Sequence, residues 1–376
     1  MRPLATAFVT LLPALVALSC NSCNSSGSGG GHVNDASIAA APEQKPPEVA
    51  AWVLPYEDSL KSLERNAAWL TIVSPTYWRL AVTGKAARLE DWDPAAAFPR
   101  ARLEPIKARS SFVVLPLVGC IGACGPLISR VLDDDTARAA HVADLVRVVR
   151  EQNLAGLFID YEDVNASEVN VTRFVDELST KLHALGKKLA LVVQEPCGAD
   201  PACKRTPYPF ALRTLADKVD HLAIMEYDFS VDGSSPPAPL DWVSRGLSKV
   251  VADVGEGPAR RKVLGAIPLY GRLTAGIADD TAVLFAEVQP GKVRNATVTL
   301  GKLTMDPASL SKKATVTAGA KSGTLYLEDH ETLAARLALA SRYKLGGVAL
   351  WRLGSEDPCV GRELAKYRRM PAPACN

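Results

Sequence analysis

The chain has 376 residues, 48% of them hydrophobic and 22% charged, which places it among globular proteins with room for one large domain or two ordinary ones. Lys and Arg total 43 against 41 for Asp and Glu, and no basic stripe interleaved with aromatic residues occurs. Nucleic acid is therefore excluded as a partner, for want of an electrostatic footprint.

The first elements in chain order are targeting elements. MRPLATAFVTLLPALVALSC carries one positive charge, at Arg2, and then an apolar stretch through Leu18 that is too short to span a bilayer comfortably. It reads as a signal peptide over residues 1–19, followed by a Ser/Gly/Pro-rich tether over residues 20–47. The start resembles that of a bacterial lipoprotein, which implies lipidation of Cys20. Ala17 stands where such starts usually carry Leu or Val, so plain cleavage is the alternative. The expected location is outside the bacterial cytoplasm, either lipid-anchored at the membrane, in the periplasm or on the outer surface, or secreted.

Export gives the cysteines a meaning. Cys120, Cys124, Cys197, Cys203, Cys359 and Cys375 are an even set in an oxidising compartment, so disulfides are expected. The spacings suggest local staples, Cys120 with Cys124 and Cys197 with Cys203, and a Cys359–Cys375 bridge that pins the C-terminus; cross-pairing between the first two loops stays open. Zinc is the weaker reading, since neither spacing leaves a two-residue gap and no His lies beside them. The five histidines (His32, His141, His183, His221 and His330) are scattered without metal-ligand spacing, so no metal is expected. The sequons at Asn165, Asn170 and Asn295 have no role in a bacterium.

From Val49 onward short apolar runs alternate with amphipathic stretches. The runs are AAWVL, WLTIVSP, SFVVLPLVG, LAGLFIDYE, KLALVVQEP, HLAIMEYD, KVLGAIPLYG and GGVALWRLG. They are mostly continuous rather than alternating, as in a parallel sheet buried on both faces. Helices are predicted over Asp135–Gln152, Val169–Leu185 (with Gly186 as its C-cap), Asp241–Val254 and Glu331–Tyr343. Eight such repeats predict an α/β fold, a closed (β/α)8 TIM barrel over residues 48–365 with a tail over 366–376. An open doubly wound sheet is the rival, but PYEDS occupies the place of its glycine-rich phosphate turn. One interval is too long for a single helix and holds AVLFAEV, ATVTL, KATVTA and TLYLED; it predicts a small α+β insertion over residues 272–327, between strands 7 and 8.

In such barrels the chemistry sits at the C-terminal ends of the strands. Asp160 and Glu162 end the fourth run, Tyr227 and Asp228 the sixth, Tyr270 and Arg272 the seventh, Trp351 and Arg352 the eighth. Residues two apart on a strand share a face, so Phe158, Asp160 and Glu162 are expected to point together into the barrel. Two carboxylates that close cannot both ionise freely, and one is pushed towards the neutral acid, as a general acid requires.

These same residues carry a family resemblance. FIDYE resembles the end of the DxxDxDxE signature of glycoside hydrolase family 18, the chitinases and related N-acetylglucosaminidases. AIMEYD is similar to that family's sixth-strand motif, GAIPLYGR to its seventh and GGVALWRLG to its eighth. YEDSLKSLERNAAWLTIVSPTYWRL is similar to the bacterial branch that cleaves spore cortex and peptidoglycan. With export read from the leader and a monomer expected, the resemblance implies a hydrolase of β-1,4-linked N-acetylglucosamine polymers, needing no cofactor. It implies Glu162 as proton donor, with Asp160 and Tyr227 positioning the substrate's acetamido group, which acts as nucleophile. Trp351 would form the floor under the sugar, and Tyr270, Asp228 and Met225 would help to bind it. Ala155 and Phe158 stand where the signature has its first two aspartates. A barrel of this family that binds chitin or peptidoglycan glycans with little or no turnover is accordingly the alternative function.

Overall fold

The computed structural model describes residues 45–375 apart from 94, 96 and 197–207. The expected signal peptide, Cys20 with nearly all of the expected tether, and Cys197 and Cys203 lie outside the described residues. Among the described residues no helix is long and apolar enough to cross a membrane.

All eight apolar runs become strands of one sheet: β1 (Glu48–Val53), β2 (Ile72–Thr83), β3 (Leu117–Cys120), β4 (Gly156–Tyr161), β5 (Lys188–Gln194), β6 (His221–Met225), β7 (Val263–Pro268) and β8 (Gly347–Trp351). Each pairs in parallel with the next, and β1 bonds both β2 (Ala50 opposite Ile72) and β8 (Glu48 opposite Gly347), which closes the barrel. Strand β4 is buried at every position and β5 at five of seven, the helices covering the outer face and side chains filling the inner one. This is why the runs show no alternation of polar and apolar residues.

The helices start where capping chemistry places them. The helix Asp135–Glu151 begins after Asp134, whose carboxylate accepts from the Ala137 N–H at 2.9 Å. Ser167 caps Glu168–Ala184 in the same way, and Gly186, at φ 67°, ends that segment. Asp329 and Thr332 form a reciprocal capping box at the start of His330–Arg342.

Three details differ from the sequence expectation. Strand β2 runs on into a hairpin with Ala86–Asp91, turned at Gly84 with φ 61°. The third run is split, since Pro116 has no N–H to continue a ladder and separates Val113–Val114 from Leu117–Cys120. The insertion, expected to be α+β, consists of strands and one 3-10 turn at Phe285–Glu287, with no α-helix among its described residues. Its longest pair, Lys312–Ala318 with Lys321–Leu327, is antiparallel, and Leu273, Val283, Val293, Val316 and Leu325 give it a small apolar core of its own. Alternation along those strands, one face on that core and one in water, makes a helix unnecessary.

Cys120 and Cys124 are bonded, with Cα atoms 5.2 Å apart, and Cys359 is bonded to Cys375 at 5.0 Å. The second bridge ties the tail back beyond the closing helix, Val360–Tyr367. We predict that thiol labelling of the unfolded, unreduced protein leaves these four cysteines untouched and that reduction lowers the melting temperature. Labelling of Cys120 or Cys124 before reduction would contradict the pairing.

Candidate active site

The site is assembled from strand ends. On β4 the outward-facing Tyr161 donates or accepts at 2.8 Å with His141 Nε2 of the surrounding helix, and both rings stack on Phe174. Burial holds His141 down to about 4, so the imidazole is neutral and serves as a hydrogen-bond partner rather than a charge. With Tyr161 fixed outward, alternation sends Phe158, Asp160 and Glu162 inward. Phe158 is fully buried, its ring 5.4 Å from that of Trp52, which in turn meets Trp351 edge-on at 5.7 Å.

Glu162 lies just past the strand, and three contacts set its backbone. Its N–H donates to the Cys120 carbonyl at 2.9 Å. Gly125, at the start of the helix Cys124–Leu132, packs so closely on the carbonyls of Glu162 and Asp163 that any Cβ there would lie 2.2 Å from the first. Gln194 and Asp163 exchange hydrogen bonds across the neighbouring strand end. The Cys120–Cys124 bridge thus closes the loop against which the Glu162 backbone rests, and glycine at 125 is required by that approach.

Asp160 is 5% exposed, and burial raises its carboxyl to about 7. One of its oxygens, Oδ1, has no hydrogen-bond partner among the described residues. Tyr227 is buried as well; desolvation first, and then the nearby charges of Asp160, Glu162 and Asp228, hold its phenol well above the usual range. It is therefore a permanent O–H donor standing among three carboxylates. Asp228, at φ 61° where a non-glycine residue is uncommon, accepts from the Tyr270 hydroxyl and from Arg272 Nη2 at 2.6 Å. Met225 is buried at the end of β6.

Asp228, Tyr270, Trp351 and Arg352 line one cleft of about 450 Å³ together with Asp280, Glu287 and Arg294 of the insertion. Sequence reasoning brought together the strand-end residues. It missed the insertion's contribution to the cleft wall, and it missed Trp52, whose place under Trp351 depends on barrel closure. A cluster of His330, Asp357 and Cys359 lies elsewhere, but Cys359 is engaged in its disulfide and cannot supply a thiolate.

The raised Asp160 carboxyl has a consequence for stability. The unfolded chain releases this proton near 3.8 and the folded chain only near 7, so between those values the folded state binds more protons. The contribution of Asp160 to stability therefore falls as pH rises from about 4 to about 7 and is level above. Asp160→Asn, similar in size and without a proton to lose, should lack that decline, and its melting temperature should gain on the parent's across this window. A constant gap from acid to neutral pH would contradict the buried, proton-holding acid.

Residues 81–357 match the family described as "Glycosyl hydrolases family 18". Among curated proteins, an uncharacterised glycosylase of Bacillus subtilis, YvbX, is 23% identical over 254 residues, 64% of this chain and 70% of that protein. Among solved structures, a chitinase from Chromobacterium violaceum is 24% identical with a TM-score of 0.71, covering 85% of this chain and 98% of its own. The spore cortex-lytic enzyme SleL of Bacillus megaterium shares 15% identity at a TM-score of 0.71, over 89% of this chain and 77% of its own. At these identities the two structures speak to the fold.

Proposed function

Because this chain belongs to the glycosyl hydrolases of family 18, we propose that it cleaves β-1,4-linked N-acetylglucosamine polymers, peptidoglycan or chitin, outside the bacterial cytoplasm by a retaining, substrate-assisted reaction. The observation that carries this reading is the convergence of Glu162, Asp160 and the Tyr227 phenol at the C-terminal mouth of the barrel, in one electrostatic neighbourhood.

In this reaction Glu162 gives its proton to the glycosidic oxygen as that bond to C1 breaks. The carbonyl oxygen of the sugar's own acetamido group attacks C1 from the opposite face, so the intermediate is an oxazolinium ion rather than a glycosyl ester of the protein. Asp160, as the carboxylate, accepts the acetamide N–H and aims its carbonyl. The Tyr227 hydroxyl donates to that carbonyl, and Trp351 carries the ring. Water then attacks C1 with Glu162 acting as base, which restores the acid and returns the original anomeric configuration. Asp228, held by Tyr270 and Arg272, presents a fixed acceptor to sugar hydroxyls. Acid, nucleophile and positioning donors come from the protein or the substrate, and the folded monomer with no cofactor is sufficient for every step.

One observation favours a second reading. Phe158 fills the space below Asp160, so no carboxylate lies there to exchange a proton with it. A barrel that binds the glycan without turnover is consistent with that substitution. Incubating the purified mature chain with chitin oligomers and with peptidoglycan, followed by mass analysis, separates the two: released fragments support the glycosidase, and saturable binding without release supports the binding module.

A further inference from the structure

Three arginines line the cleft around Trp351, and they differ in what already holds them. Arg272 is committed to Asp228 at 2.6 Å and to Thr281 Oγ1 at 3.2 Å. Arg294 is held by Asp279 at 3.0 Å, Glu287 at 3.1 Å and the Ala282 carbonyl at 2.9 Å. Arg352, the residue directly after Trp351, uses a single nitrogen, Nη1, for both of its contacts: Asp58 Oδ2 at 3.3 Å and the Leu353 carbonyl at 3.3 Å. A guanidinium carries five N–H donors, so among the described residues the Nη2 and Nε side of Arg352 is uncommitted. The contact with Asp58 is long and the Asp58 side chain is 41% exposed, so water competes for that ion pair and leaves it weak. The guanidinium carbon also lies 5.6 Å from the ring centre of Tyr56, an exposed aromatic directly before the helix Glu57–Asn66, which gives its plane a support.

We propose that Arg352 reads a carboxylate on the substrate: the lactyl carboxylate on O3 of an N-acetylmuramic acid unit next to the N-acetylglucosamine carried by Trp351. This deepens the proposed glycosidase function and rests on it for the sugar over Trp351. The chemistry discriminates between the two polymers left open above. Chitin offers Arg352 only hydroxyl and amide oxygens, whereas a muramic acid unit offers a planar anion that matches the guanidinium fork and forms hydrogen bonds about twice as strong as neutral ones. It also discriminates within peptidoglycan. A lactyl group joined to a stem peptide is an amide and has lost that charge, so the favoured substrate is a glycan strand already stripped of peptide. A reaction that hydrolyses the lactyl–peptide amide must therefore supply it.

The test measures Kd and kcat/KM for the parent, Arg352→Gln and Arg352→Lys. The ligands are peptide-free N-acetylglucosamine–N-acetylmuramic acid oligomers, the same oligomers with the lactyl group methyl-esterified, and chitin oligomers. The parent is expected to bind the free acid at least about tenfold more tightly than the ester, in keeping with a hydrogen bond to a charged group. Arg352→Gln is expected to erase that ratio and Arg352→Lys to keep part of it, with the charge present and the fork gone. A parent that does not distinguish acid from ester overturns the proposal, as does an Arg352→Gln variant that still does. Because the Kd ratios are read in the Glu162→Gln background, where cleavage is suppressed and affinity kept, the two readings fail separately. A parent that prefers the acid but cuts no oligomer retains Arg352 as the carboxylate reader and removes the glycosidase, and a parent that cuts chitin without any acid preference does the reverse.

Discussion

Glu162→Gln should lower turnover on N-acetylglucosamine polymers by at least about a hundredfold, with little change in substrate affinity. The amide keeps the size and most of the contacts of the carboxyl but has no proton of useful acidity to give to a leaving oxygen. The backbone at this position is set by the Cys120 carbonyl and by the close approach of Gly125, neither of which depends on the side chain, so the variant should fold as the parent does. Measuring kcat and KM side by side checks the expectation. Retained turnover would move the acid to another residue, and no turnover in either form with equal affinity would support the binding module.

Phe158→Asn should cost the fold about 3 kcal/mol or more and leave turnover unchanged or higher. The ring is fully buried against Trp52, and removing it opens a cavity and sets a polar amide among apolar neighbours. Part of that cost is offset, because Asp160 Oδ1 lacks a hydrogen-bond partner among the described residues and shares the same inner face of β4. In the proposed reaction the parent's Asp160 has one productive orientation, towards the sugar; an amide below it would supply a second. Denaturant midpoints and turnover of Phe158→Asn and Phe158→Asp beside the parent provide the check. If Phe158→Asn folds well and loses all turnover, Phe158 belongs to a different working pocket, and the role given to Asp160 is wrong.

The barrel was legible because burial on both faces leaves a plain mark, eight continuous apolar runs, and because parallel strands deliver their C-terminal ends to one mouth. Asp160, Glu162, Tyr227 and Trp351 stood out for the same reason, as chemistry-bearing residues at the strand ends of the fourth, sixth and eighth repeats. The hairpin Ile72–Asp91 was harder to see, since its second strand, AARLED, is largely exposed and its only signal is the Gly84 turn. The insertion's strands were legible as strand-like pieces, but not the part they take in the cleft. Asp280, Glu287 and Arg294 reach the wall through tertiary placement that no local pattern records. The outer anchoring of β4 by His141 and Tyr161 was likewise hidden, because a lone histidine on a helix says nothing about which strand it will meet.

The proposed reaction turns on a nucleophile that belongs to the substrate and an acid, Glu162, that both gives and takes back a proton. Proton NMR of a chitin oligomer during the earliest turnover by the purified chain tests this most directly, because it reads the anomer formed before mutarotation scrambles it. The β-anomer is expected as first product, since two displacements at C1 restore the original configuration. The α-anomer as first product would mean a single displacement by water, and would contradict both the substrate-assisted step and the place given to Asp160 and Tyr227.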